Sequence, residues 1–140
     1  MTISIDTNII VALWWTDDPL NRAAARLLHN AKQTGPILIC APVFAELMGD
    51  PGRSVEDLEH FLSDTGIAVE WSLDEAVWRE AGVVYRRYIQ RRRASHSTFP
   101  RRMLTDFLIG AHALTRGYAL LTLDQRLYAA AFPRLHILAG

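Results

Sequence analysis

The chain alternates between runs of four or five apolar residues and longer stretches in which apolar positions recur at helical spacing. Residues 2–5 read as a first strand. ILIC (37–40), IAVEW (67–71), YALLT (118–122) and LHILA (135–139) read as four more. Between them the pattern predicts helices. The first runs from Asn8 to about Trp15, and the second covers LNRAAARLLHNAKQ after Pro19, ending at Gly35-Pro36. Pro42 opens a third helix through VFAELM, and GDPG turns the chain. SVEDLEHFLSDTG is amphipathic, with Ser54 as cap and Gly66 as stop. A long helix extends from Asp74 to about Arg93, and ASHSTFP reads as a loop. LTDFLIGAHALTRG ends at Gly117, and QRLYAAAF is closed by Pro133. Short apolar strands alternating with helices imply an α/β domain with a mostly parallel sheet, buried on both faces.

Composition changes this picture little. The 140 residues fit one domain with a substantial core, and half of them are hydrophobic. Cys40 lies inside an apolar run and reads as a small buried hydrophobe. A single cysteine forms no internal disulfide, which agrees with the cytoplasm. No signal peptide is expected, because Asp6 interrupts the first apolar run. No run approaches the ~18 residues of a membrane span. The 15 basic and 15 acidic residues cancel, but they are segregated. Ten acids and two arginines fall between Glu46 and Glu80. Seven arginines (Arg86, Arg87, Arg91, Arg92, Arg93, Arg101 and Arg102) and no acid fall between 86 and 102. That segregation hides a basic patch inside a neutral total.

The candidate chemistry lies in four acids. In an open parallel sheet the ligand site lies beyond the carboxyl ends of the strands. Asp6 directly follows the first strand, Glu46 lies one turn into the helix after the second, and Asp124 lies just past the fourth. Asp106 begins the helix that runs back to the fourth strand, so it belongs to the same edge. Each has a plainer reading. Asp6, Asp106 and Asp124 are placed where aspartate caps a helix or faces its dipole, and Glu46 is equally compatible with a solvated helix face. Together, four carboxylates repel one another unless some are protonated or a cation joins them. Oxygen donors without histidine or cysteine suit Mg²⁺ or Mn²⁺, ions that assist phosphodiester hydrolysis.

IDTNIIVAL, APVFAEL, TDFLIGAHAL and LLTLDQRLY each carry one of these acids, and in this order and spacing they span almost the whole chain. The set resembles the PIN-domain ribonucleases, and most closely the VapC-type toxins of type II toxin–antitoxin systems. The resemblance implies a three-layer α/β/α sandwich of about five strands and Mg²⁺- or Mn²⁺-dependent endoribonuclease activity. It also implies a homodimer and inhibition by a cognate antitoxin. In such a site Asp6, Asp106 and Asp124 would hold the metal, directly or through water. Glu46 would hold the attacking water as general base. Thr7, Asn8 and Thr122 would orient these groups by hydrogen bonds, although Thr7 and Asn8 are equally suited to capping the first helix. The seven arginines would hold RNA phosphates, with solubility as the alternative, and His96 and Phe99 lie between them. His112 reads as a satisfied helix histidine, and Trp14 and Trp15 as core or partner contacts.

The segment RRYIQRRRASHSTFPRR is longer and more basic than the family pattern. No fifth acid stands near Asp124, so a second metal position stays open. GxSxG, HExxH, GxGxxG and P-loop motifs are absent. The alternatives are a PIN-fold RNA-processing nuclease outside a toxin system and a non-catalytic RNA-binding module.

Overall fold

A computed structural model describes residues 1–95 and 103–138. Five strands form one sheet: β1 (Ile3–Ile5), β2 (Ile37–Cys40), β3 (Ala68–Glu70), β4 (Ala119–Leu121) and β5 (Ile137–Leu138). Their order is β3-β2-β1-β4-β5, and every pairing is parallel. Ile3 stands opposite both Ile37 and Ala119, which fixes the register of the three central strands. Those strands are buried throughout, as their unbroken apolar sequences require when helices cover both faces. The edge strands β3 and β5 are only partly buried.

Among the described residues seven helices flank the sheet, completing a three-layer α/β/α sandwich: α1 (Thr7–Trp14), α2 (Asn21–Thr34), α3 (Ala41–Leu47), α4 (Val55–Thr65), α5 (Glu75–Ala94), α6 (Leu104–Arg116) and α7 (Gln125–Ala131). Helix α1 packs on α2, and α5 packs extensively along α6. The punctuation residues act as their chemistry dictates. Ser54 and Asp57 exchange hydrogen bonds in a capping box at the start of α4. Gly66 and Gly117 end α4 and α6 in left-handed conformation, with φ of 73° and 72°. Pro42 enters the first turn of α3, where its missing N–H costs nothing. One apolar cluster joins both faces, from Ile5 and Ile9 to Phe107, Tyr128 and Phe132, and includes Cys40.

The sheet order reverses between β1 and β4, and a crevice at such a switch point lies beyond the strand ends. The Asp6 N–H donates to the Leu121 carbonyl at 2.9 Å, so the chain leaves β1 directly beside the end of β4.

Candidate active site

Thr122, the residue after β4, is fully buried at this crevice, and its hydroxyl organises it. It donates to Asp6 Oδ2 at 2.8 Å and accepts from the Asp124 N–H at 2.9 Å. It also accepts a longer bond of 3.4 Å from Asn8 Nδ2. One donor and two acceptor sites are all that a hydroxyl has, and all are used. The other end of the Asn8 amide accepts from the Leu123 N–H at 3.1 Å. Asn8 therefore ties the first turn of α1 to the chain leaving β4, and this is the work of its side chain rather than capping.

Asp6 takes the N-cap position of α1 by backbone geometry, yet its side chain makes no cap hydrogen bond. The carboxylate turns toward Thr122 instead and is only 4 % exposed. Burial, reinforced by the charge of Asp106, pushes it up to about 6, against the opposing pull of the Thr122 hydroxyl. Thr7 donates to Glu46 Oε1 at 2.6 Å, linking α1 to α3. Glu46 itself is exposed, so it faces solvent at the crevice rather than lying beneath a covered cleft. Asp106 occupies the first turn of α6, half-buried. Asp124 is the residue that does cap a helix, accepting from the Leu127 N–H at 3.4 Å at the start of α7.

Two buried residues lie within electrostatic reach of these acids. Tyr128, fully buried on α7, feels the charges of Asp6, Asp106 and Asp124, which together with burial hold its phenol protonated. Its hydroxyl interacts with Asp6 but closes no hydrogen bond of regular geometry. Cys40, at the end of β2, is pushed up to about 12 by burial, with Asp6 and Glu46 adding to the effect. Tyr128 escaped the sequence reading. The signal was there: it lies four residues after Asp124, on the face of α7 that must be buried, and a buried tyrosine hydroxyl seeks a polar partner. Among the described residues no three His, Cys, Asp or Glu side chains stand close enough to enclose an ion. The donors at this edge are oxygens, which suits a hard divalent cation rather than a thiolate- or imidazole-seeking metal.

The arginines divide. Arg91, Arg92 and Arg93 form the basic last turn of α5, with Arg86 and Arg87 exposed further back on the same helix. Arg101, Arg102, His96 and Phe99 lie outside the described residues. His112 is buried, and its Nε2 shares a 2.8 Å hydrogen bond with Glu70. Glu70 also accepts from Arg116 and Tyr118, at 2.8 and 2.9 Å. This polar cluster pins β3 to α6 and stands apart from the four acids. Trp14 is buried in the core, edge-on to Phe61, whereas Trp15 is about half exposed.

The fold defines the class: a parallel α/β domain with a topological switch point between β1 and β4, where Asp6 and Asp124 are joined through Thr122. The chain belongs to the PIN domain family, whose model matches residues 3–133. Solved structures with similar folds include VapBC2 from Rickettsia felis bound to a DNA fragment from its promoter, at 19 % identity and a TM-score of 0.67, covering 99 % of this chain and 98 % of that one. VapBC-1 from nontypeable Haemophilus influenzae is 18 % identical with a TM-score of 0.64, covering 99 % and 97 %. Mycobacterium tuberculosis VapC20, a sarcin–ricin loop cleaving toxin, is 16 % identical with a TM-score of 0.62, covering 93 % and 95 %. No curated protein sequence matches the chain significantly.

Proposed function

We propose that the protein is a divalent-metal-dependent endoribonuclease and the toxin of a toxin–antitoxin pair. The observation that carries the reading is Asp6. A carboxylate kept 4 % exposed within reach of the charge of a second acid, its one regular side-chain partner among the described residues a threonine hydroxyl, has its charge poorly compensated. A cation supplies the missing compensation. Asp6, Asp106 and Asp124 are the residues to hold it, directly or through water. When bound, Mg²⁺ or Mn²⁺ orients the RNA phosphate and offsets the charge that builds on it during hydrolysis.

The protein's own groups do the rest. Thr122 holds Asp6 in one orientation and takes up the Asp124 N–H, so the two acids are positioned by one hydroxyl. Thr7 fixes Glu46, whose exposure lets it receive a proton from the attacking water. The test is cleavage of RNA by the purified protein with Mg²⁺ or Mn²⁺. Asp6→Asn and Asp106→Asn should each abolish it while leaving the fold intact, and Glu46→Gln should lower the rate by ~10²–10⁴-fold. Cleavage by Asp6→Asn at the wild-type rate refutes the assignment.

The toxin reading rests on similarity to VapBC complexes. It carries a cognate antitoxin, homodimerisation and a cytoplasmic location with it. No described helix is long and apolar enough to cross a membrane. Exposed Trp15, Trp71 and Trp78 offer contact surface for partners. Co-purification with the product of the adjacent reading frame tests the pair. A protein harmless on overexpression, with no neighbour that binds it, leaves a nuclease outside a toxin system.

A further inference from the structure

A cavity of about 770 Å³ opens between the end of α5, the start of α6 and α7. Its volume is that of a ligand site rather than a packing defect. Among the described residues, three arginines line it, Arg91 and Arg92 on α5 and Arg126 on α7, and no acid does. Tyr88 and Phe107 form part of the wall, their rings 5.3 Å apart. Leu127 and Ala131 add apolar surface.

The cavity shares its elements with the acidic crevice. Phe107 follows Asp106 in the first turns of α6, and Leu127 is the residue whose N–H Asp124 caps. Positive lining therefore stands next to a negative crevice. A polyanion whose backbone crosses the crevice at a cation finds the arginines immediately beyond. Guanidinium forks match phosphate oxygens. Single-stranded bases gain further by stacking on aromatic or guanidinium planes, which an apolar wall with a tyrosine provides.

We propose that this cavity is a nucleotide subsite, taking the base and phosphate of a single-stranded RNA residue adjacent to the bond that is cut. The assignment rests on the nuclease reading above and gives Arg126 and Tyr88 a role in holding RNA, which the sequence motifs that contain them do not assign. Ala130 and Arg126, both exposed on α7, are the positions at which to probe it. Ala130→Trp fills the space, and Arg126→Glu reverses one of its charges.

The experiment uses the full chain and a fluorescein-labelled single-stranded RNA of about twelve nucleotides. Binding is followed by anisotropy in chelator, cleavage with Mn²⁺, and folding by thermal melting. Both variants should weaken RNA binding roughly tenfold and lower kcat/KM by a similar factor, with the melting temperature held. Arg126→Ala should reduce the slope of log K against log salt by about 0.7. Should Ala130→Trp misfold, Arg126→Glu at its exposed position carries the same test. If folded variants bind and cut RNA as the wild type does, the subsite is overturned while wild-type cleavage keeps the nuclease reading. If they keep RNA but lose the product of the adjacent reading frame, the cavity docks a protein and the RNA assignment falls. If the wild type binds RNA but cuts none with any divalent ion, the nuclease reading fails, and loss of binding in the variants still supports the subsite.

Discussion

Burial sets the ionisation of Asp6 more than any neighbour does, and that makes the residue a term in the stability of the fold. Its carboxyl rises from 3.8 to about 6 on folding, which corresponds to about 3 kcal/mol. The native state binds the extra proton between those values, so the contribution is fully present below pH ~4 and is lost as pH rises through about 6. Metal-free protein should therefore lose stability from this group between pH 4 and 6.5. Asp6→Asn should remove that dependence, raising the melting temperature at pH 7.5 in chelator and matching the wild type near pH 4. Equal pH profiles for the two proteins would place the strain elsewhere. The sequence shows the aspartate and its neighbours but not their orientation. Asp6 and Asp124 both stand at N-cap positions, and only Asp124 caps. The difference comes from Thr122, 116 residues further along the chain, which takes the Asp6 carboxylate for itself. No local pattern carries that information. Glu46 is similar: its position on α3 is readable, but its exposure and its bond to Thr7 depend on how α1 crosses α3.

At the scale of elements, the strands and helices were legible because apolar runs bounded by glycine, proline and serine leave few other readings. Differences fall at the ends. The third strand stops at Glu70 rather than Trp71, and the Glu70 side chain forms hydrogen bonds with His112, Arg116 and Tyr118 on and beyond α6. Burial works against its charge, but those bonds outweigh it and hold the carboxyl below the usual carboxylate range. What the pattern hides is how helices are spaced. Gly110, mid-way along α6, faces the ring of Phe132, and a Cβ there would come within 2.2 to 2.8 Å of three ring atoms. Phe132 directly follows α7, so this packing sets the separation of α6, which carries Asp106, from α7, which carries Tyr128 and borders Asp124. Gly110→Ala gains up to ~1 kcal/mol in helix propensity and loses about 1–3 kcal/mol by overpacking against a ring with no free space. Urea unfolding should show a net loss of stability, and cleavage should fall further than stability alone explains. A stabilised variant with full activity would mean that Phe132 yields freely and does not set the spacing.

Across the whole molecule, net charge is zero, so long-range attraction for RNA must come from how charges are distributed. Helix α5 displays the gradient within itself, from Asp74 and Glu75 at its start to Arg91, Arg92 and Arg93 in its last turn. That arrangement complements the helix dipole, which is sufficient reason for it in any protein and is worth ~0.3–1 kcal/mol per charge. Its position adds a second role. The fold turns from α5 back along α6, so the basic turn of α5 lies beside Phe107, one residue from Asp106. Stability and RNA binding can then be separated by measurement. Replacing Arg91, Arg92 and Arg93 together with alanine should cost a modest part of the stability. It should also weaken RNA binding and flatten its salt dependence, by about 0.7 in the log–log slope for each phosphate no longer neutralised and so by up to about 2. Replacing Arg86 and Arg87, exposed further back on α5, should change the slope less, because they are not among the residues that line the cavity. A triple variant with a lower melting temperature but an unchanged slope would assign the arginines to the helix alone, and RNA would then have to reach the acids by another path.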